Sequence, residues 1–292
     1  MKIIDTTTYF EEDMIMDVRF NVLNEYVDKF IVCEANYSHS GKKKNINFDK
    51  NNFPKFKSKI VHLVLEEEPN NLEDESSGEP HIQRSNSVKR INYQRDYISN
   101  YLKDFDDEDF IMYSDNDEIP NLKDLKIEKI DNNILIFKQL IFYYKFNLLY
   151  DYINWHGTKG CKKKYLKSFS WLKNLKNKNY PYWRLDAYFS KMKSTNVKII
   201  ENGGWHFSNI KTAQQIFDKL SNYGHHNEFE TSGLTIDKIQ DQISKKIVSY
   251  NHKADQTRTD KHNFEYKLKK IDQRLLPDYL NFNKEKLSKW FD

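Results

Sequence analysis

Cysteine is nearly absent from this 292-residue chain: Cys33 and Cys161 lie far apart and have no metal-site spacing. That scarcity argues against a disulfide scaffold and for a reducing, cytoplasmic setting. Glycine is scarce at 8 and proline at 6, while Lys, Asn and Ile abound. An AT-rich coding sequence produces that bias as readily as selection does, so a single surface lysine carries little weight. No apolar run of signal-peptide length follows Met1, and no segment offers roughly 20 uncharged apolar residues. Secretion and a membrane span are therefore not expected. The longest apolar stretch, Ile134 to Leu149, is broken by Lys138, Gln139, Lys145 and Asn147, and reads as paired core strands. Strong charge of one sign is missing too. Lys and Arg outnumber Asp and Glu by 47 to 43, and a formal net charge of +4 on 35.3 kDa is too small to indicate a nucleic-acid partner.

Aromatic mass, by contrast, is plentiful. The 19 Phe and 19 Tyr, within a hydrophobic content of 38%, can build a sizeable core despite a mean hydropathy of -0.87. The length suits one large α/β domain, with or without an appended helical tail, and two compact halves also fit. Apolar runs at Ile3-Ile4 and Phe30 to Cys33 flank Met14, Ile15, Val18 and Val22 at helical spacing, which is a βαβ opening. A strand at Ile60 to Leu65 precedes Glu66 to Glu79, which holds seven acids and no base and reads as a solvated loop. A helix over His81 to Leu102 and a strand over Asp109 to Tyr113 follow. Strands are expected at 134 to 146 and at Val197 to Ile200, with a turn at Gly203 to His206 and mainly helices beyond. The alternation predicts an α/β fold: a mostly parallel central sheet with helices on both faces and a helical C-terminal tail.

The strand at 109 to 113 runs straight into Ser114-Asp115-Asn116-Asp117-Glu118-Ile119-Pro120. In an extended segment, residues two apart point the same way, so Asp115 and Asp117 would project together and share a hard cation such as Mg2+ or Mn2+. Such an ion neutralises charge that develops on a leaving diphosphate. The same letters also spell an ordinary acidic turn capping a helix. Position favours the site, because ligands of such sheets bind at the strand carboxyl ends.

Three stretches, that one included, weigh on the choice. Val27 to Ser38, continuing through Gly41 and Lys44 to Phe48, has a strand, a glutamate and an approximation to F-T-x-x-G; Ser114 to Pro120 approximates D-x-D-E-I-P; and Gly203 to Ser208 reads G-G-W-H-F-S. A weaker stretch is Gly224-His225-His226-Asn227-Glu228. In this order the blocks resemble glycosyltransferase family 17, the family of the bisecting β-1,4 N-acetylglucosaminyltransferases. The resemblance spans most of residues 1 to 230 and is far more specific than Asp-x-Asp alone. It implies a GT-A fold, a UDP-sugar donor such as UDP-N-acetylglucosamine, a carbohydrate acceptor, a divalent cation and inversion at the anomeric carbon. It also implies a catalytic domain over 1–230, with a donor half to about 120 and an acceptor half beyond, followed by a helical extension over 231–292. The sequence departs from the family in having no Golgi membrane anchor and a shorter, Lys-rich acceptor half.

Individual residues carry two readings each. Asp115, Asp117 and His206 form the expected metal set, with His206 alternatively contacting phosphate or serving only the structure. Glu34, Lys44, Arg95 and Trp205 are donor-side candidates, although Glu34, Lys44 and Arg95 could lie on the surface and Trp205 in the core. Trp155, His225 and Glu228 are acceptor-side candidates, set against core packing for the indole and plain helix-end roles for the other two. Glu118 and Asp186 are the candidate bases that would deprotonate the acceptor hydroxyl in a direct inverting displacement. The rivals are a non-catalytic carbohydrate-binding protein on the same fold and a metal-dependent phosphohydrolase or nuclease.

Overall fold

The computed structural model describes residues 1–222, 229, 232–253, 261 and 264–292. Its frame is a ten-stranded sheet. The expected βαβ opening is present as β1 (Ile3–Tyr9), α1 (Asp13–Leu23) and β2 (Lys29–Ala35), and β3 (Ile60–Leu65) extends the edge. Helix α2 (Pro80–Tyr97) gives way to tighter turns over Ile98–Asp104, and β4 (Phe110–Ser114) then pairs parallel to β1, Ile3 opposite Phe110. Strands β3, β2, β1 and β4 thus form a parallel half.

The other half corrects the expectation of a mostly parallel sheet. Here lie β5 (Glu118–Pro120), β6 (Ile134–Tyr143), β7 (Leu148–Lys162), β8 (Val197–Ile200) and β9 (Gly204–Ser208). β7 runs antiparallel to β4 and β6, β5 runs antiparallel to β9, and β8 and β9 run parallel to β6. The physical cause is the connection: only residues 144–147 join β6 to β7, and a link that short can only reverse direction. The anticipated turn at Gly203 to His206 is instead the start of β9. Gly204 has φ 124, and a Cβ there would overlap the carbonyl oxygen of Ile119, so glycine lets β9 close against β5.

Side-chain alternation divides the core between the two faces of the sheet. Phe30, Val32, Phe110 and Met112 join Ile15, Met16, Phe20 and Leu23 of α1 on one face. Ile31, Cys33, Ile111 and Tyr113 meet Ile98, Leu102 and α3 (Phe169–Asn174) on the other. Helices therefore cover both faces. The acidic stretch at 66–79 is not a loose loop: Arg90 donates from Nε to Glu68 Oε1 at 2.6 Å, and Asn86 Oδ1 receives the Glu73 amide at 2.8 Å, so α2 holds it down.

Beyond α4 (Leu185–Phe189) and α5 (Ala213–Asn222) come α6 (Ile236–Lys245), β10 (Ile247–Val248), β11 (Tyr266–Lys267), β12 (Lys269–Lys270) and α7 (Asp278–Phe282). Among the described residues this part thus holds short strands as well as helices. Thr235 caps α6 by accepting from the Lys238 amide, and Ile239 packs with Ile216 of α5. Leu280 and Phe291 enter the same core as α1, the Phe146 amide donates to Trp290 O at 2.8 Å, and β12 pairs with β7. No described helix is long and apolar enough to cross a membrane.

Candidate active site

Every residue of β4 is buried, so the chain leaves the core only at Asp115. A tight turn follows: the Glu118 amide donates to Asp115 O at 3.0 Å, and the Asp115 amide donates to Glu118 Oε2 at 3.0 Å. Arg19 braces this turn from within. Its Nε and Nη2 donate to the two Asp5 carboxylate oxygens at 2.7 and 2.5 Å, and its Nη1 donates to Glu118 O at 2.6 Å. A fully buried ion pair is tolerable only when hydrogen bonds satisfy it in this way.

The turn gives Asp115 and Asp117 separate partners. Asp115 lies 3.1 Å from Arg95 Nη2 and 3.0 Å from Lys173 Nζ. Burial opposes its ionisation, but Lys173 and Arg95 more than offset that and hold the carboxyl well below the usual carboxylate range. Asp117 faces Lys219 Nζ and His206 Nε2, each at 3.4 Å. Burial again opposes ionisation, and Lys219 and His206 again pull the carboxyl far down. Both carboxylates are anionic at any ordinary pH. Lys173 also donates to Glu118 Oε2 at 2.6 Å, and Lys159 holds its backbone by donating to Lys173 O at 2.7 Å and Leu175 O at 2.5 Å. Burial, then the charge of Lys173, pushes the Lys159 ammonium down to about 7.

Asp115 and Asp117 line a cleft of about 400 Å³ at the carboxyl ends of β1 and β4, closed on the far side by α5, α6 and the segment after β10. Lys44, Arg95, Trp155 and His206 line it too, so six of the expected residues meet there. The others stand elsewhere. Glu34 is fully buried; it accepts from Lys44 Nζ at 2.5 Å and from the Asn47 and Phe48 amides at 2.8 and 3.0 Å, shaping the loop before the cleft rather than its wall. Trp205 packs in the core and donates to Leu275 O at 2.7 Å. Glu118, also fully buried, accepts from Trp155 Nε1 at 2.9 Å besides Lys173 and the Asp115 amide, which positions the turn and leaves no path to an acceptor. Asp186 is exposed and bound to Arg184 and Lys193, off the cleft. His225 and Glu228 lie outside the described residues.

Sequence reasoning missed Lys173, Lys219, Glu12 and His252. Glu12 receives a hydrogen bond from Asn116, the middle residue of the turn, and His252 neighbours Trp155 with ring centroids 5.9 Å apart. No local pattern marks these residues, which reach the site from distant parts of the chain.

For a metal ion the arrangement is selective. Among the described residues no three His, Cys, Asp or Glu side chains gather as a protein cage would require. An ion that keeps water and substrate phosphate in its shell needs only one or two carboxylates. Asp117 meets that demand beside His206, whose Nδ1 is buried without a hydrogen-bond partner among the described residues.

The sequence profile described as glycosyltransferase family 17 matches residues 1–251, taking in both walls of the cleft. The chain belongs to glycosyltransferase family 17. This family 17 chain is thus a glycosyltransferase, and the cleft is its candidate site for glycosyl transfer. A search of curated proteins finds no relative. Among solved structures, HddC from Yersinia pseudotuberculosis overlaps 69% of this chain and 90% of its own at 8% identity and a TM-score of 0.34. The same protein complexed with GMP-PN overlaps the same shares at 8% identity and a TM-score of 0.31. At that distance the overlap bears on neither fold nor chemistry.

Proposed function

We propose that this glycosyltransferase moves a sugar, N-acetylglucosamine in the first instance, from a UDP-sugar to a glycan hydroxyl with inversion, on a GT-A-type fold in the cytoplasm. The observation that carries the reading is a cleft at strand carboxyl ends in which two carboxylates and several cationic side chains converge. Asp117, with Asp115 and His206 beside it, would hold the Mn2+ or Mg2+ ion, which supplies positive charge against the leaving diphosphate. Arg95 and Lys219 act on the same charge: a guanidinium fork fixes phosphate oxygens, and a lysine balances them as a point charge.

The acceptor would enter by a second groove of about 740 Å³ that shares Trp155 and His252 with the first and is lined by Tyr152, Asn154, Lys176 and Asn177. Aromatic faces with amide groups between them suit a sugar, whose rings present apolar C–H faces and hydroxyl edges. Inversion needs one base and no covalent sugar intermediate. With Glu118 enclosed and Asp186 off the cleft, Glu12 is, among the described residues, the lining carboxylate outside the Asp115–Asp117 turn and is the group to test. The reading is checked by calorimetric titration of UDP-N-acetylglucosamine, UDP-N-acetylgalactosamine and UDP-glucose with and without Mn2+. Binding of at least one, strengthened by the ion, is expected. A folded protein that binds none would overturn the reading.

A further inference from the structure

Residues 176–194 form a loop tied at its base and greasy at its tip. The Lys176 amide donates to Met192 O at 2.8 Å, the Tyr180 amide donates to Ser194 O at 3.0 Å, and Asn179 bridges to Ser194. Between those ties the apolar side chains point outward: Phe189 is 88% exposed, Tyr182 75%, Leu185 71% and Trp183 66%, with Tyr188 and Met192 also exposed. Only Ala187 of the short helix α4 is buried. An apolar cluster of this size is rarely left in water on a soluble surface unless something covers it.

Charge indicates what covers it. The loop carries Lys176, Lys178, Arg184, Lys191 and Lys193 against a single acid, Asp186, in a chain whose whole net charge is +4. The cations are interleaved with the aromatic rings: Lys178, Lys193 and Arg184 surround the Tyr180 ring at 5.7, 5.5 and 6.0 Å from its centroid. Trp and Tyr with lysine among them suit the headgroup layer of a bilayer, where rings sit at the polar boundary and cations meet anionic lipid. A protein partner of ordinary kind would be met by fewer lysines, which interface cores exclude.

We propose that the 180–193 loop docks this protein on an anionic membrane surface, inserting Trp183 and Phe189 at headgroup depth without crossing the bilayer. Lys176, Tyr182, Arg184 and Lys191 then lie at the lipid phosphates. The base of the loop is also a wall of the second groove, through Lys176 and Asn177. Docking therefore brings that groove to the membrane, where a lipid-linked glycan would present its saccharide. The docking itself does not depend on the transfer reading.

The test is sedimentation of the full chain with vesicles of phosphatidylglycerol and phosphatidylcholine, and with vesicles of phosphatidylcholine alone, in the absence of any sugar nucleotide. The expected result is binding to the anionic vesicles that weakens about tenfold or more in a Trp183→Ser, Phe189→Ser double variant and again in Lys191→Glu, and that fades with added salt. Circular dichroism confirms that the variants fold. Absence of binding to the anionic vesicles overturns the proposal, as does equal binding by the double variant. Self-association of the wild type that the double variant loses, with no vesicle binding, also overturns it and assigns the loop to a protein interface.

Discussion

The two walls of the cleft carry the same residue in opposite circumstances. Asp115 sits against Arg95 and Lys173 at 3.1 and 3.0 Å, and Lys173 is itself locked to Glu118 and held by Lys159. Asp117 meets Lys219 and His206 only at 3.4 Å, on a wall made by β9 and α5. The first carboxylate is the more tightly paired and yet 36% exposed at its side chain, whereas the second is more loosely paired but only 12% exposed. Identical side chains two positions apart thus differ in their surroundings: Asp115 is held by short ion pairs to Arg95 and Lys173, and Asp117 by longer ones to Lys219 and His206. Trp155 joins the walls, donating to Glu118 on one side and lying against His206 on the other with ring centroids 4.6 Å apart.

Asp115→Ala is expected to destabilise the protein most. It removes one partner from Lys173 and Arg95, and because the Asp115 side chain is 36% exposed the cost is discounted from that of a fully buried pair to about 2–3 kcal/mol. Urea unfolding checks this; a change below about 1 kcal/mol would mean that the Arg95 and Lys173 pairs contribute little to stability. Trp155→Phe removes the indole hydrogen bond to Glu118 while keeping an aromatic ring beside His206. A bond to a charged acceptor is worth about 2 kcal/mol, so stability should fall by that amount, with a raised KM for the acceptor. Loss of stability alone, with acceptor KM unchanged, would confine Trp155 to a structural role.

At any one pH near neutrality the third effect is small, and it shows in the pH dependence. Burial, then the nearby His206, pushes the His252 imidazole down to about 4, while in the unfolded chain it returns to near its ordinary 6.5. As pH falls through that window the unfolded state takes up the proton first, so stability declines between about pH 6.5 and 4. His252→Gln should flatten that decline by about 1 kcal/mol per pH unit. Unfolding midpoints at a series of pH values measure it, and an unchanged slope in the variant would show that His252 is not held neutral.

Much of this was legible in the sequence where the signal is local. The βαβ opening, β3, β4 and β8 fall where the periodicity placed them, because an alternating or helical apolar face is set by neighbours a few residues away. Strand direction in the second half was not legible, since it depends on which strands pair and on the four-residue β6–β7 link. The cleft residues show the same division. Asp115, Asp117 and His206 stand out in compact blocks, whereas Lys173 and Lys219 reach the turn from 58 and 102 positions away and look like any other lysine of a lysine-rich chain. Glu34 and Trp205 were noticed for their blocks, but burial assigns them to loop and core architecture.

The role of Asp117 in sugar transfer is measured most directly by UDP release from UDP-N-acetylglucosamine, with Mn2+ or Mg2+ and a panel of sugar acceptors, by the wild type and by Asp117→Asn. Release should require the ion and the acceptor and fall about a hundredfold or more in the variant, with folding intact. Release that proceeds equally in the variant, or that is absent from a folded wild type with every UDP-sugar and acceptor, would contradict that role.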